Sequence, residues 1–238
     1  MLTLPGSRTG NLLLEMLPAN ALERSNAREE DIPLKHVLLA ADETPQFVYF
    51  PHHGSVASIV RATVSGQMVE AGVVGGEGLC NIHTVLAGAA PTGSRMIVQN
   101  EGRFTLVAVQ SLKLLFNEHA GFRDAVLAYT SVFLDQVTQN LVCNRLHNIE
   151  QRLAKWLLVM RDRVLRDELH MTQEFLAYML GVHRPGVSLA VKELETEGLI
   201  RHRRNLIALV DPDGILARAC ECYLPLRDKL LNFFARVS

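Results

Sequence analysis

Apolar residues in the first hundred positions come in short runs cut by turns. "HVLLA", "QFVYF", "SVASIVRATV", "MVEAGVVG" and "RMIVQ" are rich in Val, Ile, Phe and Tyr, and "ADETP", "PHHGS", "SGQ", "GGEG" and "APTGS" lie between them. Strand-length runs punctuated by Gly and Pro predict an antiparallel β-sandwich, roll or barrel. A short amphipathic helix is expected ahead of them, around residues 11–22. No internal repeat or low-complexity segment is visible.

From about Asn117 the strand texture stops. Residues 118–147 hold no Pro, and Gly121 is the only Gly. Leu127, Leu134 and Leu141 recur at sevenfold spacing, with Thr130, Val137 and Asn144 three positions further on. That is a short coiled-coil seam ending in a polar residue able to fix register. Phe122, Val126, Tyr129 and Phe133 form a second apolar stripe on the same helix. A helix with two apolar faces must bury both, one on the β-domain and the other on a partner, for which a second copy of the chain is the natural choice. Burial inside one subunit is the alternative.

Beyond Asn148 the pattern reads helix ("NIEQRLAKWLLVMRDRV"), short break, helix ("TQEFLAYML"), tight turn ("GVHR"), helix ("PGVSLAVKELETE", 185–197), then "GLIRHRRNLIALVD". A last helix is expected from about Pro212, with Leu216, Cys220, Tyr223 and Leu224 on one side. Thr172 is a good N-cap, with Glu174 in the first turn favourable to the helix dipole. Phe175, Leu176, Met179 and Leu180 make that helix's inner face. Gly181 supplies a permissive turn backbone, and Pro185 sits where a new helix tolerates it. Val187, Ala190, Val191 and Leu194 account for the inner face of the next helix, leaving His183, Arg184, Ser188, Leu189 and Lys192 outside. Two helices around a Gly turn, the second basic on its outside, form a helix-turn-helix pattern, whose second helix reads the major groove. "RHRR" alone is an ordinary solvated turn. Directly after such a pair, Arg201, Arg203 and Arg204 read as a wing gripping phosphate or the minor groove.

Composition adds little until it is divided. The 238 residues are 48% hydrophobic and 21% charged, a globular balance, and the formal net charge of −1 by itself argues against nucleic acid. Residues 1–144, however, carry 9 Lys+Arg against 13 Asp+Glu, while 145–238 carry 15 against 12, so the basic excess sits with the candidate reading helix. No apolar run approaches bilayer-spanning length, and "MLTLPGSRTGN" lacks a charged leader with an apolar core, so a cytoplasmic protein with no membrane contact is expected. Cys80, Cys143, Cys220 and Cys222 show neither a disulfide framework nor a zinc pattern. Cys220 and Cys222, two apart on an expected helix, should point in different directions and stay reduced.

In order and in motif, the chain resembles the Crp/Fnr family of bacterial transcription regulators, relatives of the cyclic AMP receptor protein. "MTQEFLAYMLGVHRPGVSLAVKELETEGLI" and the basic wing are its most specific part, and "HNIEQRLAKWLL" and "VYFPHHGSVASIV" also look like family segments. The resemblance implies an α+β chain with an amino-terminal antiparallel β-roll of the cyclic-nucleotide-binding type (1–117), a long dimerisation helix (118–147) and a carboxy-terminal winged helix-turn-helix (148–238). It implies a homodimer joined through Leu127, Leu134, Val137 and Leu141, double-stranded DNA read as an inverted repeat, RNA polymerase as a partner, and an input in the β-domain.

Departures from the family pattern bear on that input. Gly76-Glu77 matches the ribose-binding half of a cyclic-nucleotide site. Arg95 lies too far on for the phosphate-binding half and is followed by Met, so of the candidate effector pocket Gly76, Glu77 and Arg95 only half is in order, and cyclic AMP is not expected. The glycines around Glu77 fit neither a Walker loop nor a dinucleotide fingerprint. No cysteine precedes Cys80, so an Fnr-type iron–sulfur cluster is not expected either. In the reading helix, Pro185 and Leu189 stand where many members have Glu and Arg, which predicts a different target site. No metal, cofactor or catalytic residue is assigned. The competing reading is a cupin-like metal enzyme or small-molecule-binding module, for which His52 and His53 are the best ligands, although neighbours on a strand point to opposite faces. His36, His83 and His119 are scattered, and no nucleophile–base signature is present. A regulator sensing through haem, a metabolite or the Cys80 thiol is the remaining variant.

Overall fold

The computed structural model describes residues 7–237. Residues 1–6, part of the stretch inspected for a leader, and residue 238 lie outside the described residues. The helix expected at 11–22 is two short ones, α1 (Leu12–Glu15) and α2 (Ala19–Arg24), because Pro18 at the entry to α2 cannot continue α1. Asn11 anchors this segment: its side-chain oxygen caps α1, while its amide donates to the carbonyls of Pro51 and Gly78 at 2.8 Å each.

Seven strands follow, with one helix among them: β1 (Arg28–Ile32), β2 (Val37–Leu39), β3 (Phe47–Pro51), β4 (Val56–Ala62), β5 (Met68–Val74), α3 (His83–Ala87), β6 (Ser94–Asn100) and β7 (Gly102–Ala108). They form two antiparallel sheets, ordered β1-β7-β3 and β2-β6-β4-β5. Each of the five expected runs holds a strand; β1 and β7 add to them. The change to helix comes earlier than expected, since α4 (Val109–Glu118) precedes the long α5 (Ala120–Leu146).

The rest is α6 (Ile149–Val164), β8 (Glu168–His170), α7 (Gln173–Leu180), α8 (Arg184–Thr196), β9 (Ile200–Arg203), β10 (Leu206–Leu209), α9 (Pro212–Arg218) and α10 (Tyr223–Val237). Asn148 and Gln151 close a capping box on α6. The last helix expected from Pro212 is thus two, separated by residues 219–222, with Ala219 in extended backbone. The architecture is α+β, with β-sheets first, a long helix, then helix-turn-helix elements.

Two apolar cores share one sheet. Ala57 and Ile59 of β4 pack into the core between the sheets, which Phe122, Val126, Tyr129 and Phe133 of α5 join. Val56 and Val60, on the other face of the same strand, pack into the core of α6, α7 and α8. That is why "SVASIV" shows no polar alternation: β4 is covered on both faces. The outer edge of β5 is closed by α5. Gln136 exchanges two hydrogen bonds with the Val73 backbone (3.1 and 3.0 Å), and Asn140 donates to Ala71 O at 2.9 Å. A sheet edge otherwise open to pairing is so protected.

Candidate nucleic-acid interface

Thr172 caps α7, its hydroxyl accepting the Phe175 N–H at 3.1 Å. Gly181 ends that helix at φ +62°, in the left-handed region where a side chain is strained, and a Cβ there would also press on Val69 of β5 at 2.9 Å. One residue earlier than expected, α8 begins at Arg184, with His183 at its cap position and Pro185 in its first turn. Phe175, Leu176, Met179 and Leu180 are buried, as are Val187, Ala190, Val191 and Leu194, so both inner faces are as the spacing predicts.

Outward, His183, Arg184, Leu189 and Lys192 are exposed. Leu189 stands 58% open, a large apolar side chain on a basic surface. Ser188 is less free than its outward position implies: its hydroxyl bonds Gln173 Oε1 at 2.7 Å and Arg184 O at 3.1 Å, tying α8 to the start of α7. Gln173 therefore belongs to this surface, which sequence reasoning missed. No side chain caps the first turn of α8, where Pro185 has no N–H to offer and the Gly186 N–H donates to His183 O at 3.0 Å. The far end of the helix is acidic, with Glu193, Glu195 and Glu197. Charge alone thus selects the amino-terminal half of α8 as the part that approaches a polyanion.

Gly198, at φ +75°, turns the chain into β9 and β10, which pair antiparallel from Ile200↔Leu209 to Arg203↔Leu206 across a turn of Arg204 and Asn205. With β8 they make a three-stranded sheet. Arg201 and Arg203, two apart on β9, share its exposed face, while Glu195 Oε1 accepts the His202 N–H at 2.9 Å and holds the strand to α8. The wing is fixed to the helix it accompanies.

On α5 the two stripes have different fates. Phe122, Val126, Tyr129 and Phe133 are buried in the chain's own core, whereas Leu127, Leu134 and Leu141 are 45%, 58% and 72% exposed. Val137 is partly buried against that core and so is less open than the three leucines.

The "GGEG" turn is packed by the chain itself. Glu77 is 3% exposed and its carboxylate pairs with Arg163 of α6 at 2.8 Å. Gly76 O accepts the Leu12 N–H at 2.8 Å, and a Cβ on Gly78 would overlap the Tyr129 ring of α5. Arg95 is exposed on β6. Gly76 and Glu77 are adjacent and buried, then, but the guanidinium on Glu77 is Arg163, a partner from a helix 86 residues on.

His52 bonds Thr105 Oγ1 at 2.7 Å, and burial lowers its pKa. Cys80 is fully buried, and that burial pushes its thiol up, away from the reactive thiolate. Among the described residues, one group of metal-ligating side chains comes together, and it holds none of the scattered histidines: Cys143, His147, Cys220 and Cys222, with all four ligand atoms within 4.8 Å of one another. Here the expectation fails. Cys220 and Cys222 lie in the break between α9 and α10, not on a helix, and their thiols face one cluster. The spacing of Cys143 and His147, one helical turn apart, was the available signal.

Residues 151–218 match the family profile of the Crp-like helix-turn-helix domain. No curated protein sequence matches the chain. Among solved structures it is similar to a putative Crp/Fnr-family transcriptional regulator from Eubacterium rectale (13% identity, 87% of this chain and 96% of that one, TM-score 0.67). FixK2 from Bradyrhizobium japonicum superposes comparably (18%, 82% and 98%, 0.68). So does the c-di-GMP-responsive global regulator CLP from Xanthomonas campestris (16%, 81% and 99%, 0.66). At these identities the likeness establishes the fold, and the matched domain supplies the DNA-reading element. With a Crp-like helix-turn-helix domain over residues 151–218, set on a fold shared with solved Crp/Fnr regulators, the chain is a DNA-binding transcription regulator.

Proposed function

We propose that the protein acts as a homodimer, joined along α5, that sets two α8 helices into successive major grooves of an inverted-repeat operator. The observation that carries this reading is the division of α8: a buried inner face, an exposed basic amino-terminal half beside the arginine wing, and an acidic far end. Arg184 reads a base edge, Leu189 offers an apolar contact of the kind a thymine methyl accepts, and His183, Ser188 and Lys192 complete the surface. Arg201, Arg203 and Arg204 hold phosphate. The exposed leucine stripe of α5 supports the dimer, since an apolar seam on an otherwise well-packed helix favours a partner.

In this reading residues 1–117 are the input domain, 118–147 the dimerisation helix and 148–238 the reading head, which recruits or blocks RNA polymerase in the cytoplasm. Among the described residues no helix is long and apolar enough to cross a membrane. The relative CLP is described as responsive to c-di-GMP. For this chain the closed packing around Glu77 speaks against cyclic AMP at the family's usual place. The test is selection of bound duplexes from a random DNA pool. An enriched inverted repeat is expected, and recovery of no common sequence would remove the operator-reading role.

A further inference from the structure

We propose that Cys143, His147, Cys220 and Cys222 form a closed four-ligand site for a zinc ion, with Glu221 and Gln139 as its outer shell. The elements explain the convergence. Cys143 and His147 stack one turn apart at the end of α5, and the break after α9 turns Cys220 and Cys222 back onto that end. Cys143 Sγ and Cys220 Sγ are 3.4 Å apart, and Cys222 Sγ is 3.6 Å from His147 Nδ1. Tetrahedral zinc, with Zn–S of about 2.3 Å and Zn–N of about 2.0 Å, sets neighbouring ligand atoms roughly 3.5–3.8 Å apart. Three thiolates and one imidazole leave no open position, so the ion is structural and not catalytic.

Two further features fit an ion there. His147 Nε2 lies 3.1 Å from Glu221 Oε1, the carboxylate–histidine arrangement that orients an imidazole for ligation through its other nitrogen, and the Gln139 amide donates to Cys222 Sγ at 3.0 Å. Arg152 and Lys155 of α6 are 8% and 6% exposed, and neither makes an ion pair with a carboxylate among the described residues. Lys155 lies within electrostatic reach of Cys143, and Arg152 of both Cys143 and Cys220. Three thiolates around a divalent ion carry one net negative charge, which offsets part of the charge of these buried cations. Their other partners are neutral oxygens, Leu180 O for Arg152 and Asn140 Oδ1 for Lys155, with the Glu70 carboxyl also within electrostatic reach of Lys155. The ion fastens the end of the long helix to the link that follows the winged domain. This site stands apart from the DNA reading above, and its test needs no DNA.

Full-length protein freed of metal by a chelator under reductant is titrated with Co2+ and then Zn2+. One Co2+ per chain is expected, with thiolate charge-transfer bands and the intense visible bands of a tetrahedral ion, displaced by one equivalent of Zn2+. Cys143→Ser and Cys222→Ser should lose stoichiometric uptake, and Cys80→Ser should keep it. Glu221→Gln should weaken binding by about 10–100-fold. His147→Cys should still bind but shift the absorption, which separates a ligand from a residue needed only for folding. X-ray absorption of the wild-type complex should give three sulfurs and one nitrogen, a readout independent of any variant. Reduced wild-type protein that takes up no stoichiometric ion, or a Cys80→Ser protein that fails as Cys222→Ser does, overturns the proposal.

Discussion

Arg184 and Arg203 carry the same charge but stand on different supports, and this predicts different losses. Arg184 is the first residue of α8, held by a helix whose inner face is fully packed, so its guanidinium can form two parallel bonds to O6 and N7 of guanine. Arg184→Ala should cost about 1–3 kcal/mol per half-site and relax preference at one base position. Arg203, the last residue of β9, ends a strand at the wing tip. Arg203→Ala should weaken all sequences alike and lower the salt slope by roughly one unit for each phosphate no longer gripped. Titrations against matched and single-mismatch duplexes at several salt concentrations decide; full discrimination in Arg184→Ala would reassign that residue to phosphate. A buried carboxyl gives a second prediction. Burial raises the Glu70 pKa in the folded chain, with hydrogen bonds from Ser58 and Trp156 and the charge of Lys155 opposing it only in part. The stability linked to its proton is complete below the unfolded value of about 4.3 and is lost as pH rises towards the raised folded value. Glu70→Gln keeps an acceptor for the Trp156 indole and cannot ionise. Urea midpoints of wild type should therefore fall, relative to the variant, from about pH 5 upward; parallel curves would clear Glu70 of the effect.

Along α5 the sevenfold leucines and the aromatic stripe were legible because both follow helix periodicity, and the fold leaves the first exposed and buries the second. Leu134 is 58% exposed in the single chain, where a lysine is harmless, but in a dimer seam it would be buried without a partner. Leu134→Lys should leave the unfolding midpoint of the single chain unchanged and weaken association by several kcal/mol, about 3 or more. Light scattering at micromolar concentration should then report a monomer, and a persistent dimer would move the interface elsewhere. Other elements were hidden for definite reasons. Strand β1, "REEDI", buries only Ile32, and as an edge strand it shows charge where a core strand shows apolar residues. The break at 219–222 itself holds no Gly or Pro, and its one mark, Pro225 in the first turn of α10, lies beyond it, so α9 and α10 read as one helix and the convergence of the two cysteines was hidden with it.

At the scale of the molecule, the reading surface was legible because it is local: cap, turn, inner face and basic outer face all lie within Thr172–Asn205. Pairings between distant segments were not. Arg163 reaches Glu77 across 86 positions and Cys143 meets Cys220 across 77, and no spacing rule predicts which residue arrives. Strand β4 packs on the core between the β-sheets with one face and on the core of α6, α7 and α8 with the other. If the chain pairs along α5 as proposed, that packing should set its two α8 helices at one fixed separation. Duplex DNA repeats its major groove every 10–10.5 bp, about 34 Å, and the two half-sites should be spaced accordingly. Inserting about 5 bp at the operator centre turns the second half-site to the opposite side of the duplex. A stiff dimer can then engage only one half, and the advantage of joined sites, often about 10²–10⁴ in affinity, disappears. Affinity for the lengthened operator should fall to that of an isolated half-site, and Leu134→Lys protein should bind both operators with the same weak affinity. Wild-type binding indifferent to the insertion would mean that the heads are flexibly tethered, and the packing of β4 between two cores would then not hold them in place.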